Sequence, residues 1–186
     1  MKEPFLEPIL RQLRLRRVIN HIPKKAVLLD VGCGTKAAFL KAISPHISEG
    51  FGVDFKTENF QFGNVQTIQV MLEHKLPFAD ETFDTVTMLA VLEHIEHEEE
   101  ILKEIHRVLV PGGKLIITVP SVWSKPILEF LAYKIRIISE AEIRDHKRYY
   151  HRKKLKRVLV DIANFQSFQH QYFQLGMNNF CTVEKK

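Results

Sequence analysis

Apolar runs alternate with amphipathic segments along most of the chain. Five runs have the length and composition of buried strands: residues 26–31, 50–55, 65–70, 83–91 and 114–120. Between them, residues 35–44 and 97–110 carry apolar side chains at helical spacing, and Pro-Gly-Gly follows the second segment. Apolar strands separated by helices are typical of a parallel sheet that is covered on both faces. The pattern therefore predicts an α/β fold with a doubly wound, mostly parallel sheet.

The two ends of the chain extend this pattern. Residues from about 8 to 21 have apolar positions at helical spacing with arginines between them, which predicts an amphipathic helix within an N-terminal segment, 1–22. A second helix is predicted at residues 153–165, and two β-like runs follow it at the C-terminus. We expect these runs to form an antiparallel hairpin that completes a Rossmann-like sheet.

Residues 121–152 interrupt the alternation. The segment is longer than an ordinary connection between a strand and a helix, and it carries an apolar helix pattern of its own. Long segments that follow the carboxyl ends of strands commonly shape a binding site. We therefore predict a helical insertion after the fifth strand, within a single domain that covers residues 1–186.

The composition fits one globular domain. The chain has 186 residues, of which 45% are hydrophobic, and this is enough for a hydrophobic core that is stable without disulfides or a structural metal. Its two cysteines, Cys33 and Cys181, have neither metal-ligand spacing nor a disulfide framework, so no zinc site is expected and a reducing cytosol is the expected compartment. No window is long and apolar enough for a transmembrane segment, which predicts a soluble, cytoplasmic protein.

The charge is distributed unevenly. The net charge of +5 is concentrated in residues 11–17 and 144–157, whereas residues 93–104 are acidic. This asymmetry favours an anionic partner at particular places and disfavours a surface coated with nucleic acid.

A glycine turn follows the first predicted strand, in the sequence LLDVGCGTKAAFL at residues 28–40. An apolar run that ends in an acid, then Gly-x-Gly and a helix, is typical of a ligand-binding strand-to-helix turn. With Ala37 as the last position, the turn suits a dinucleotide. Compared with the Gly-x-Gly-x-Gly of methyltransferases, Lys36 replaces the last glycine. The turn alone leaves both ligand classes open.

Asp54 ends the second strand, roughly twenty residues after the turn. A carboxylate at that place can accept hydrogen bonds from both hydroxyls of a ribose. Strand, glycine turn, helix, strand and acid in this order together predict a nucleotide-type ligand.

Four segments, LLDVGCGT, GFGVDF, LPFADETFDTVTMLAVLEHI and EIHRVLVPGGKLIITVP, together resemble the class I S-adenosylmethionine-dependent methyltransferases, especially the small bacterial methyltransferase-domain proteins. The resemblance covers about residues 26–120, and its later segments have no counterpart in the nicotinamide fingerprint. It implies S-adenosylmethionine as the cofactor, with the methionine portion at the turn, the ribose at Asp54 and the reaction centre beside the end of the fourth strand. The cofactor-binding positions that we predict are Asp30, Gly32, Cys33, Gly34, Lys36, Asp54, Glu73, Leu89 and Ala90.

Two positions depart from the family pattern. Lys36 stands in place of a glycine, so its side chain either crowds the turn, meets an anion or extends into solvent. Many relatives have an acid before the LPF segment that holds the adenine amine, whereas this chain has Met71 and Leu72 followed by Glu73. Glu73 or backbone groups are expected to take that role.

Methyl transfer from a sulfonium needs alignment of the reactants, exclusion of water and, for some acceptors, removal of a proton, and it requires no metal. The candidate catalytic bases are His94, Asp145 and His146. The candidate acceptor-binding residues combine aromatic and basic side chains and are Trp123, Arg144, Arg148 and Tyr149. The structural alternative for His94 is a helix-cap or hydrogen-bonding role, and for the aromatic and basic residues it is packing and solvation.

We therefore predict an enzyme that transfers a methyl group from S-adenosylmethionine to a small anionic or amphipathic molecule. RNA is a second acceptor class, because basic and aromatic side chains also bind unstacked bases. A catalytically silent methyltransferase-like fold that serves as a binding or scaffold protein is the other alternative.

Overall fold

A computed structural model describes residues 7–124 and 148–186 of the chain. Its helices and strands are, in order, α1 Glu7–Ile19, β1 Val27–Val31, α2 Ala38–Ile43, β2 Glu49–Asp54, β3 Phe60–Phe62, β4 Val65–Gln69, β5 Phe83–Leu89, α3 Glu98–Val108, β6 Leu109–Pro120, α4 Arg152–Lys156, a π-helical segment Arg157–Ile162, β7 Gln166–Phe173 and β8 Asn178–Glu184. No helix within the two described ranges is long and apolar enough to cross a membrane.

All eight strands form one sheet with the order β3-β4-β2-β1-β5-β6-β8-β7. Strands β4, β2, β1, β5 and β6 are parallel, whereas β3 pairs antiparallel with β4, and β8 pairs antiparallel with β6 and β7. The prediction of a mostly parallel sheet with an antiparallel C-terminal hairpin is confirmed. The first strand along the chain, β1, lies inside the sheet, with β2, β3 and β4 on one side of it and β5 to β8 on the other. The crevice beyond the carboxyl ends of β1 and β5 is therefore the topological switch point, where ligands of such sheets bind.

Successive side chains of the central strand pack on opposite faces of the sheet, as the period of a strand requires. In β1, Leu29 belongs to the cluster that packs under α3, and Leu28 belongs to the cluster under α1 and α2. Helix α3 contributes Ile101, Leu102 and Ile105 to the first cluster, all of them fully buried. Both faces of the sheet are thus covered, which keeps its carboxyl edge as the open place for a ligand.

The boundary between α3 and β6 differs from the sequence prediction. Helix α3 ends at Val108, because Leu109 adopts an extended conformation and pairs with Phe83 of β5. The sixth strand therefore includes the Pro-Gly-Gly sequence that was expected to precede it. Strand β3 was not predicted, since it has only three residues and forms a hairpin with β4 around Gly63, at φ +57°.

The edges of the sheet are formed by β3 and β7. The pairing of β7 with β8 has an irregularity between Gln166 and Gln169, where Ser167 has φ +55°. Most of the predicted insertion, at residues 125–147, lies outside the described part of the chain. Its helical character stays a prediction.

Candidate functional site

The turn after β1 is fixed to the end of β2. Gly32 and Gly34 have φ values of +79° and +70°, a region that glycine enters without a steric penalty. The Gly32 N–H donates to the carbonyl of Val53 at 2.8 Å. A Cβ at Gly34 would have no described heavy atom within 4 Å, apart from its chain neighbours. The turn therefore leaves open space beside Gly34 for a ligand.

Asp54 is tied to the same turn through its carboxylate. Oδ2 accepts from the Gly34 N–H at 2.9 Å, and Oδ1 accepts from the Lys56 N–H at 2.7 Å. The residue is 9% exposed. A carboxylate has roughly four acceptor positions. Two of them are occupied by these N–H groups, so each oxygen retains an acceptor position for a hydroxyl.

Asp30 lies between Gly52 of β2 and Thr87 of β5 in the strand register. The Thr87 hydroxyl donates to Asp30 Oδ1 at 2.7 Å. Burial raises the pKa of the Asp30 carboxyl to about 7, the Thr87 hydrogen bond lowers it, and the charge of Asp54 raises it further. A positive group bound beside these carboxyls would favour their ionised forms.

The end of β5 approaches the glycine turn. Ala90 has φ +58°, and its N–H donates to the carbonyl of Thr118 at 2.8 Å. The next side chain, Val91, packs so close to Gly32 that a Cβ on Gly32 would lie 2.3 Å from Val91 Cγ2. Leu89 and Ala90 are both half-buried at this edge. Sequence reasoning missed Val91, because its contact joins residues that are far apart along the chain.

Glu93 is a buried acid that sequence reasoning also left aside. It is 1% exposed, and its Oε2 has no hydrogen-bond partner among the described residues. Burial raises the pKa of Glu93 to about 7, while a hydrogen bond from its own backbone and the charge of Arg14 on α1 lower it. The sequence feature that could have indicated Glu93 is the presence of an acid within the largely apolar segment VLEHI. The neighbouring His94, a candidate base, is half-buried.

The two departures from the family pattern are both exposed. Lys36 lies in the turn between Gly34 and α2, and Glu73 lies in the loop after β4. Their contacts with a ligand stay predictions. Cys33, in the turn, is buried, and burial raises the pKa of its thiol to about 12. This thiol is therefore protonated at neutral pH.

The acceptor candidates are described only in part. Arg144, Asp145 and His146 lie outside the described residues. Trp123 is 69% exposed and Tyr149 is half-buried. Their roles in binding an acceptor stay predictions.

Arg148 contacts the loop between β5 and α3. Its guanidinium donates to the carbonyls of Ile95 and, at 3.0 Å, of Glu96. Next to it, the Tyr150 hydroxyl hydrogen-bonds the carboxylate of Glu98. These contacts give Arg148 a structural role. Its role in acceptor binding stays a prediction.

Comparison with known proteins agrees with this geometry. The family described as "Methyltransferase domain" matches residues 29–117. A demethylmenaquinone methyltransferase of Geobacillus sp. is 36% identical over 118 residues, which cover 57% of this chain and 49% of that protein. The ubiquinone/menaquinone biosynthesis C-methyltransferase UbiE of Klebsiella pneumoniae is 43% identical over 70 residues, 38% of this chain and 26% of that protein. The match thus spans about half of the first relative and a quarter of the second.

Solved structures share the fold over most of the chain. A Haloferax volcanii methyltransferase in complex with the Trm112 activator has a TM-score of 0.76 at 14% identity, covering 97% of this chain and 92% of that one. A Thermotoga maritima S-adenosylmethionine-dependent methyltransferase, described as a possible histamine N-methyltransferase, has a TM-score of 0.68 at 20% identity, covering 93% and 88%. The sequence match thus identifies a methyltransferase domain at residues 29–117, just under half of the chain, and the solved structures share its fold.

Proposed function

We propose that this protein transfers a methyl group from S-adenosylmethionine to a small amphipathic or anionic molecule. The observation that carries the proposal is the Asp54 carboxylate, which is held by the Gly34 and Lys56 N–H groups and keeps acceptor positions for two hydroxyls. The open space at Gly34 fits the methionine portion of the cofactor. When bound, S-adenosylmethionine supplies a methyl group on an already activated sulfonium.

The residues of this chain mainly bind the cofactor and the acceptor and orient them for the reaction. Asp54 is the ribose acceptor, and Asp30 supplies a buried carboxyl whose ionised form a nearby cation stabilises. Leu89 and Ala90 form a half-buried apolar wall at the reaction centre. His94 is the candidate base at the same strand end, for an acceptor that must lose a proton. Alignment and exclusion of water supply most of the rate in such a displacement.

The acceptor class is supported by the relatives and by charge. Two of the most similar curated proteins are named as methyltransferases of demethylmenaquinone and of ubiquinone/menaquinone biosynthesis. Those names favour an amphipathic aromatic acceptor, and the basic residues 144–157 favour one that carries negative charge. We infer a cytoplasmic site of action for this reaction.

Transfer of a radiolabelled methyl group from S-adenosylmethionine to cell extract tests the proposal. The extract is divided into nuclease-treated and untreated portions, and the lipid, small-molecule and RNA fractions are counted. We expect label in the lipid or small-molecule fraction with the wild type and much less label with Asp54→Ala. Label that nuclease removes would support RNA as the acceptor. Cofactor binding without label in any fraction would support a silent binding protein.

A further inference from the structure

Two histidines and a glutamate meet at the surface, outside the predicted cofactor-binding residues. His74 belongs to the loop after β4, His97 immediately precedes α3, and Glu100 lies in the first turn of α3. His74 Nδ1 lies 2.5 Å from Glu100 Oε2, and His97 Nδ1 lies 3.8 Å from Glu100 Oε1. One ligand atom from each of the three residues can be chosen so that all lie within 4.8 Å of one another. We propose that His74, His97 and Glu100 form a binding site for a divalent transition metal, with Zn²⁺ as the best-matched ion.

The donor set determines the class of metal. Two imidazoles and one carboxylate are ligands that Zn²⁺, Ni²⁺ and Cu²⁺ accept, whereas Mg²⁺ and Ca²⁺ prefer sets of oxygen atoms. Zn²⁺ bonds nitrogen and oxygen at about 2.0–2.2 Å, so tetrahedral ligand atoms lie about 3.4 Å apart. The observed separations bracket this value. All three side chains are about half exposed, and the ion would take the place of the present hydrogen bond between His74 and Glu100.

The backbone around the three ligands is already fixed. The Leu76 N–H, two residues after His74, donates to Glu104 Oε2 at 3.0 Å, and Arg107 Nη2 donates to the Leu76 carbonyl at 3.2 Å. Both Glu104 and Arg107 belong to α3, the helix that carries Glu100. The loop is therefore attached to the helix one turn away from the proposed site. A metal ion would bind ligands whose main chains need not move.

The surroundings favour a cation. A surface cavity of about 370 Å³ lies beside His97 and is lined by four acids, three of them in the first turn of α3, and by two basic residues: Glu96, Glu98, Glu99, Glu100, Lys103 and Arg148. Arg148 donates to backbone carbonyls of the neighbouring loop and also pairs with Glu98, at 3.7 Å from Nε to Oε1, so three acids remain against Lys103. With three protein ligands, the ion would keep a position for water, as in zinc sites that are not closed by a fourth residue.

The cysteines do not compete for the ion. Burial raises the pKa of both Cys33 and Cys181 to about 12, so their thiols stay protonated at neutral pH. Because Zn²⁺ binds the thiolate, neither residue offers a ready ligand. Among the described residues, His74, His97 and Glu100 are the one group of three ligand atoms close enough together to hold an ion, so we expect one equivalent of metal at this site.

Calorimetric titration of the tag-free, chelator-treated full chain with Zn²⁺ tests the site. We expect one equivalent to bind, and affinity to fall about tenfold or more in His74→Gln and in His97→Gln. Replacement of Zn²⁺ by Co²⁺ should give the visible absorption of a four-coordinate ion in the wild type and in neither histidine variant. Glu49→Gln is the control, because Glu49 is an exposed acid at the amino end of β2 and belongs neither to the proposed ligands nor to the cavity beside His97.

The test is independent of methyl transfer and of the folding of the variants. All three ligands are exposed, and each variant is checked for an unchanged thermal midpoint without metal. Zn²⁺ should raise the midpoint of the wild type and of Glu49→Gln, and leave that of the histidine variants unchanged. Absence of binding to the wild type, or binding by both histidine variants as tight as that of the wild type, would overturn the proposal.

Discussion

The Gly34 N–H donates to Asp54 Oδ2 at 2.9 Å, and this hydrogen bond joins the turn after β1 to the last residue of β2. The turn and the acid are twenty residues apart in sequence, yet they form one hydrogen-bonded unit at the switch point of the sheet. The two halves of the predicted cofactor site are therefore held in place before any ligand binds.

Replacement of Asp54 by Asn should weaken binding of S-adenosylhomocysteine, the demethylated product. The amide keeps one oxygen for a backbone N–H but loses the charge, and hydrogen bonds to a charged group contribute about 1.5–3 kcal/mol each. We expect a loss of about tenfold or more, measured by calorimetric titration.

Asp84→Asn is the matched control for this prediction. Asp84 also accepts a backbone hydrogen bond, from the Val27 N–H at 2.8 Å, but at the amino end of β1. Its substitution should leave the affinity unchanged. Equal affinities of the wild type and a folded Asp54→Asn would refute the assignment of Asp54.

Gly32→Ala should destabilise the protein far more than Gly34→Ala. Both residues have positive φ, but only the new Cβ at Gly32 would collide with Val91. We expect losses in the free energy of unfolding of about 2–4 kcal/mol at Gly32 and about 1 kcal/mol at Gly34, measured by urea denaturation. Addition of Val91→Ala should recover part of the loss at Gly32. Equal losses at the two glycines would show that the contact with Val91 is unimportant.

Asp30→Asn should change the pH dependence of stability. The pKa of Asp30 rises from 3.8 to about 7 on folding, so between these values the folded state keeps a proton that the unfolded state has released. Stability contributed by that proton is complete below the lower value and is lost as the pH rises towards about 7. The Asn variant still accepts from Thr87 and should be more stable than the wild type at pH 8, by at most about 4 kcal/mol.

Urea denaturation between about pH 4 and pH 8 measures this effect. Glu93, whose pKa is also raised to about 7, contributes in the same direction, so Glu93→Gln should remove a further part of the pH dependence. Asp30→Asn should at the same time weaken binding of S-adenosylmethionine, because the buried negative charge is lost. A variant with the slope of the wild type would contradict the burial argument.

Lys36→Gln should weaken binding of S-adenosylhomocysteine modestly. Lys36 is exposed at the turn, where a positive charge is favourable beside a ligand carboxylate. An exposed ionic contact contributes about 0.2–1 kcal/mol, so we expect a loss of up to about fivefold that shrinks at high salt. Lys24→Gln, at an exposed lysine before β1, is the control. Tighter binding by Lys36→Gly than by the wild type would instead indicate crowding of the turn by the side chain.

Arg148→Ala separates a structural role from acceptor binding. Its guanidinium donates to the carbonyls of Ile95 and Glu96, so its removal should lower the free energy of unfolding by about 1–3 kcal/mol. Denaturation of Arg148→Ala and of the exposed Arg152→Ala provides the comparison. Unchanged stability with weaker binding of an anionic acceptor would favour the predicted role in substrate binding.

The sequence predicted those features that depend on short stretches of chain. The turn, Asp54 and the strand pattern are local signals, because each depends on residues that are close in sequence. The contact of Val91 with Gly32 and the proximity of His74 and His97 join residues that are far apart in sequence. Such contacts leave no periodic pattern in a short stretch of sequence, so they could not be predicted. Strand β3 escaped prediction because three residues are too few for a pattern.

The end strands of the sheet also have a consequence for solubility. An edge strand offers unpaired N–H and C=O groups to which another chain can add. At one edge, β3 has only three residues, and at the other β7 departs from regular pairing around Ser167. A short strand and a bulged strand are both poor templates for edge-to-edge aggregation. Deletion of the β3–β4 hairpin tip, or substitutions that make the pairing of β7 with β8 regular, would therefore promote self-association through the unpaired N–H and C=O groups of the edge strands.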